Sequence, residues 1–170
     1  MGRGSPDGGQ DRARRLPRDI IVRLADFRPH YEALLLALEQ TGLEQFQTAA
    51  RLRRPAELNQ HVYPIERSFE LLCNYVSELN ELGLRETGIE PGDDRRTNLR
   101  LLAREKVISG EQERKLWAAL SARNELAHEY PDVRAAGIYQ AARDLVAEAP
   151  VYMRDYVAWM RRLGFGDQSS

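Results

Sequence analysis

Arginine, asparagine and histidine stand at positions 123, 124 and 128 of a stretch that closes on Glu129-Tyr130-Pro131. At about 100° per residue, a helical wheel with Arg123 at the origin places Leu116, Leu120 and Ala127 within about 60°, and Trp117 near 120°. Asn124 falls near 100° and His128 near 140°, inside the same arc, while Arg114, Lys115, Ser121, Glu125 and Glu129 take the opposite side. An apolar stripe therefore turns polar over its last two turns, where buried polar groups are costly unless satisfied. Imidazole titrates near neutrality and serves as a general acid or base. A guanidinium matches phosphate oxygens two at a time and can hold developing negative charge. Those two groups suit metal-independent RNA cleavage, in which the 2′-hydroxyl attacks the adjacent phosphate. Asn124, one turn before His128, can hold the imidazole or bond a phosphate. Each residue also has a structural use: His128 as a cation at a helix C-terminus, Arg123 as a stem over apolar neighbours.

The elements that must position them follow from hydrophobic spacing. Ser109 and Gln112 read as a capping box that starts the helix bearing Arg123. Pro131 biases Tyr130 away from the helical region, so that helix is expected to end near Glu129, with His128 in its last turn. Upstream, Ile20, Leu24, Phe27, Tyr31, Leu34 or Leu35, and Leu38 recur at 3–4 spacing, with Pro29 expected to kink or split their helix. Leu43, Phe46 and Ala50 suggest a short second helix. Pro55 opens a long one, in which Val62, Ile65, Phe69, Leu72, Val76 and Leu79 hold the cleanest core stripe of the chain. Pro64 is expected to bend it. Residues 83–94 read as a loop, followed by a helix from about Thr97 with Leu99, Leu102 and Val107. Along its side run Arg96, Arg100 and Arg104, a basic stripe and the candidate RNA contacts. Arg51, Arg53 and Arg54 form a second basic cluster, read as a solvated face. A final helix from about Val133, kinked at Pro150, carries Ile138, Leu145, Ala149, Tyr152, Tyr156, Met160 and Leu163; its Tyr152, Tyr156 and Trp159 are expected in the core or at an interface.

No long segment alternates as a strand, so the expected fold is all-α: an antiparallel helical bundle with kinked long helices and one or two short ones. Residues 16–164 form the single domain, flanked by a disordered tail at 1–15 and a flexible one at 165–170. A chain of 170 residues, 42% hydrophobic and 30% charged, supports one such core. Its net charge near −1 excludes general polyanion binding, so RNA must be met by a local or composite patch. The single cysteine, Cys73, excludes an internal disulfide, agrees with a reducing compartment, and reads as a core residue beside Leu71 and Leu72. No apolar run approaches membrane-spanning length and no signal-peptide segment opens the chain, so the expected location is cytoplasmic. No Cys/His cluster has metal spacing and no Gly-rich phosphate loop is present, so no metal or cofactor is expected.

The string Arg123-Asn124-x-x-x-His128-x-Tyr130 resembles the Arg-x4-His-x-Tyr motif of HEPN-domain toxins of the HepT type, whose genes accompany a minimal nucleotidyltransferase antitoxin. The likeness runs from about Pro55 to Leu163, and more loosely over the N-terminal helix. It implies a HEPN-like bundle and an endoribonuclease acting on tRNA or mRNA, with Arg123 and His128 catalytic and Asn124 supporting. Arg123 and His128 lie about 140° apart on the wheel, so one helix does not easily bring both to one phosphate. Two copies facing across a two-fold axis would, and paired motifs at a homodimer interface are what the resemblance implies. It also implies that Tyr130 is where the antitoxin attaches AMP, silencing the toxin; a helix-capping or packing role for its hydroxyl stays equally open. The alternative is a non-catalytic HEPN module that binds nucleotide or RNA, or serves as partner subunit of a nucleotidyltransferase. A plain helical interaction protein with an accidental motif is the third reading.

Overall fold

A computed structural model describes residues 14–126, 128, 129 and 131–166, with the Arg123 side chain left out. Among the described residues the chain is helical with no strand. Helix α1 (Arg18–Gln40) follows Pro17 and buries Ile20, Phe27, Leu34 and Ala37. Pro29 does not split it: the proline is exposed, so the carbonyl it leaves without a donor faces water. Thr41 and Gly42 turn the chain into α2 (Leu43–Leu52), whose buried side chains are Phe46 and Ala49.

The long helix expected from Pro55 is three pieces in one rod. A short α3 (Pro55–Glu57) leads into a π-helical turn, Leu58–Val62, and then α4 (Tyr63–Glu86). The π turn ends two residues before Pro64, which cannot donate an α-helical bond. All six residues of the predicted stripe are buried, Val62 and Phe69 at 3% exposure and the others completely. The loop expected from residue 83 begins later, because Gly83 belongs to α4. A Cβ there would stand 2.3 Å from the Trp159 ring, so glycine marks a close approach of two helices and not a turn. The helix stops at Gly88, whose φ of 74° is left-handed, with the Thr87 hydroxyl donating to the Leu84 carbonyl at 2.6 Å.

Asp94 caps α5 (Arg95–Arg104), accepting from the Thr97 backbone at 2.8 Å. Those bonds from the Thr97 backbone and hydroxyl hold the Asp94 carboxyl below its ordinary range. Ser109 caps α6 (Gly110–Glu125), and Pro131 opens α7 (Pro131–Arg162). Half of the predicted capping box is present. Ser109 accepts from the Gln112 backbone, but the Gln112 side chain is buried against α7, its amide oriented to donate to Asp155 and accept from the Tyr152 backbone.

Pairings between helices give the directions. Arg23 pairs with Glu78 and His30 stacks on Tyr75, so α1 runs antiparallel to α4. Lys115 pairs with Glu148, while Leu126 sits against Gly137, so α6 runs antiparallel to α7. Helices α4 and α7 run in the same direction: Tyr152 donates to Asn80, Tyr156 to the Leu79 carbonyl, and Trp159 covers Gly83. The three aromatic residues of α7 are therefore core residues, as their spacing predicts. The domain also extends past the predicted limits. Phe165, expected in the tail, is 3% exposed, with the Arg14 guanidinium 4.6 Å above its ring and Arg14 bonded by its backbone to Gly164 and Gly166. Residues 1–13 and 167–170 lie outside the described residues. Among the described residues no helix is long and apolar enough to cross a membrane.

Candidate active site at the corner between α6 and α7

Helix α6 ends four residues earlier than its proline suggests. Glu125 is its last residue and Leu126 its C-cap, whose N–H bonds the Ala122 carbonyl at 2.9 Å. The Glu129 N–H then returns to the Leu126 carbonyl at 3.2 Å, so His128 stands in a surface turn between helices and not in the last turn of α6. Proline restricts only the residue before it; the earlier stop comes from Leu126. This side chain nests on Gly137 of α7, where any Cβ would lie 2.3 Å from its Cδ1. Leu126 and Gly137 thereby set the height at which the His128 turn leaves the bundle.

His128 is exposed, as is Asn124 at the end of α6, while Leu116, Ala119 and Leu120 further up the helix are buried. Ser121, assigned to the solvated side by the wheel, is buried too; its hydroxyl turns back on the Ala118 carbonyl at 3.5 Å, so it needs no water. Arg123 occupies α6 one turn beyond Ala119 and Leu120. Ala127 and Tyr130 lie outside the described residues.

The corner stands beside two clefts that a third, narrower one joins along α4. The first, about 370 Å³, is lined by Asn124 and Leu120 of α6, by Phe69, Glu70, Cys73 and Asn74 of α4, and by Arg95 of α5. Arg95 donates to the Asn74 Oδ1 at 2.9 Å, so a guanidinium is held in the cleft that Asn124 also lines. Glu70 and Cys73 are already engaged within the molecule. The second cleft, about 310 Å³, is lined by Glu129 and Pro131 of the corner and by Arg53, Tyr63, Glu66 and Arg134.

The arginine stripe predicted to meet RNA lines neither cleft. The Arg96 guanidinium lies 5.4 Å from the Trp117 ring centroid, Arg100 pairs with Glu113 at 4.0 Å, and Arg104 with Glu105 at 3.4 Å. Two of the three close the seam between α5 and α6. The cationic residues beside the corner are Arg95, Arg53 and Arg134. Arg95 adjoins the predicted stripe but is turned by about 100° from it. Arg53 was visible only as part of a basic cluster, and Arg134 had no signal in sequence at all.

An all-helical bundle with an Arg-Asn-x3-His string at an exposed corner has the makings of a HEPN-type nuclease. The family model described as ribonuclease HepT-like matches residues 31–154, well over half of the chain, and the chain belongs to the HepT-like ribonuclease family. No curated protein and no solved structure matches it.

Proposed function

We propose that this protein is a HEPN ribonuclease toxin that cleaves RNA without a metal ion, using His128 for proton transfer and Arg123 for the charge developing on the phosphate. The observation that supports this most directly is the exposure of His128 and Asn124 at one corner beside a polar cleft, inside the span matched by the ribonuclease family. Neither side chain serves the core, so neither is accounted for by stability.

The same reading assigns the remaining roles. Two chains meet as a homodimer so that one copy's Arg123 and the other's His128 bracket a phosphate, and Asn124 orients the imidazole or the substrate. Tyr130 carries AMP placed by a nucleotidyltransferase antitoxin, which blocks the cleft by bulk and charge. The site of action is the cytoplasm, where both RNA and the antitoxin are found.

The test is incubation of the purified protein with total RNA in the presence of a chelator, beside the His128→Ala variant. Cleavage products ending in a 2′,3′-cyclic phosphate, present with the parent protein and absent with the variant, are expected. Full activity in the variant would remove His128 from the mechanism. No cleavage by either protein, with RNA still bound, would leave the non-catalytic module as the reading.

A further inference from the structure

The cleft of about 310 Å³ beside Glu129 and Pro131 has a composition of its own. Arg53 and Arg134 both line it, as do Glu66 and Glu129, yet among the described residues neither arginine forms an ion pair. The next residue, Arg54, does, with Glu57 at 3.4 Å. Two guanidinium groups thus line one cleft, where a phosphate can take N–H bonds.

The backbone supports the same conclusion. Arg53 is the C-cap of α2 and holds a left-handed φ of 53°, a position usually given to glycine. Such a conformation is uncommon for a residue with a Cβ, and here it is retained with the long cation at the mouth of a cleft. Tyr63, 49% exposed, lines the same cleft together with Leu58 and Val62, so it offers an aromatic ring beside apolar surface. Leu58 and Val62 belong to the π turn, a local geometry found frequently at functional sites. The exposed Glu129 carboxylate completes the set, since it can accept from the N–H donors on a base edge, whereas a bare phosphate site has no use for it.

Phosphate-binding cations, a stacking ring and acceptors for a base edge describe one kind of ligand. We propose that this cleft is a nucleotide subsite, with the phosphate on Arg53 and Arg134 and the base against Tyr63. The subsite deepens the ribonuclease reading and rests on it for the identity of the chain that supplies the nucleotide. The volume suits one nucleotide and excludes a duplex. Because Glu129 and Pro131 line it, its occupant sits next to the corner that carries His128.

The nucleotide can come from RNA or from the free pool, and binding measurements separate the two. The probes are the four nucleoside monophosphates and a single-stranded 2′-O-methyl oligonucleotide, which lacks the attacking hydroxyl and stays intact. Each is titrated into the parent protein and into Arg53→Gly, Arg134→Ala and Tyr63→Ala; glycine at 53 keeps the left-handed backbone. Removal of either guanidinium is expected to weaken binding about tenfold, the scale of one charge-assisted bond. For the oligonucleotide, the slope of log affinity against log salt should also fall by about 0.7 for each arginine removed. Sensitivity with both kinds of probe assigns the cleft to RNA, and sensitivity with monophosphates alone assigns it to free nucleotide.

Unchanged binding of every probe in the folded Arg53→Gly/Arg134→Ala double variant would overturn the proposal. Failure of the ribonuclease reading looks different, as binding with no cleavage by the parent protein. If cleavage occurs, the double variant should raise KM and leave kcat in place, which a merely structural role would not do.

Discussion

The two ends of α7 treat polar groups in opposite ways. At the C-terminal end every hydroxyl that is buried is also bonded: Tyr152 donates to the Asn80 Oδ1 at 2.8 Å, and Tyr156 to the Leu79 carbonyl at 2.9 Å, with Trp159 packed edge-on against Tyr156. Around the N-terminal end, Asn124 of α6, His128 and Glu129 of the turn, and Arg134 of α7 are all exposed. One end commits its polar atoms to α4, as burial demands. The other leaves them at the surface. A glycine marks each end, and the two would place a Cβ at the same 2.3 Å from a neighbour, but the neighbours differ: the ring of Trp159 at Gly83, and the tip of Leu126 at Gly137.

The contrast is sharpest if both ends are broken separately. His128→Ala should lower RNA cleavage by roughly 10²–10⁴-fold, the usual worth of a general acid or base. Its urea midpoint should shift by no more than about 0.5 kcal/mol allows, because the side chain is exposed. At the other end, Gly83→Ala should destabilise by about 1–3 kcal/mol, since the indole ring is fixed between helices and cannot yield. Gly137→Ala should be close to neutral in stability, the gain in helix propensity of about 1 kcal/mol offsetting a shift of the Leu126 tip. Cleavage by this variant should nonetheless fall about tenfold as the His128 turn is displaced. Equal losses of stability at the two glycines would erase the distinction between the ends.

Alkaline titration probes the committed end alone. Burial raises the Tyr152 hydroxyl well above its ordinary value, with the neighbouring Tyr156 adding to it; burial also raises Tyr156, with the Glu86 charge adding to that shift. The folded protein therefore keeps these protons longer than the unfolded chain, which releases them near pH 10. Their contribution is fully present below about pH 10 and is lost as pH climbs toward the folded values, by up to about 1.4 kcal/mol per pH unit for each tyrosine. Urea midpoints measured from pH 9 to 12 should fall accordingly, and less steeply in Tyr156→Phe. Ser109→Ala should cost about 1 kcal/mol for the lost α6 cap, read by thermal unfolding with cleavage unchanged at temperatures below the transition.

Helices and core were legible because their signal is local. The stripe from Val62 to Leu79 needs only 3–4 spacing, and the burial of Tyr152, Tyr156 and Trp159 follows from the same rule. What escaped the sequence depends on contacts between distant residues. Gly83 reads as a loop breaker until Trp159 is seen against it, and α6 reads as reaching Glu129 until Leu126 is seen on Gly137. At the corner the residue types were plain from the string itself, and the surrounding cations were not. Regular spacing singled out Arg96, Arg100 and Arg104, which the structure ties to Trp117, Glu113 and Glu105. The arginines beside the clefts come from the end of α2 and the starts of α5 and α7, and no period in the sequence connects them.

The π turn has a meaning at the level of the gene. An α-helical turn closes on the fourth residue and a π turn on the fifth, so Leu58–Val62 holds one codon more than an unbroken helix from Pro55 to Glu86 requires. Loss of that codon would restore regular winding and swing everything before it by about 100° relative to Tyr63. Arg53 would turn away from the cleft it lines with Arg134 while every side chain of the core stripe kept its identity. The shape of this cleft is thus adjustable by a change in reading length alone, a route that no exchange of one amino acid for another can copy.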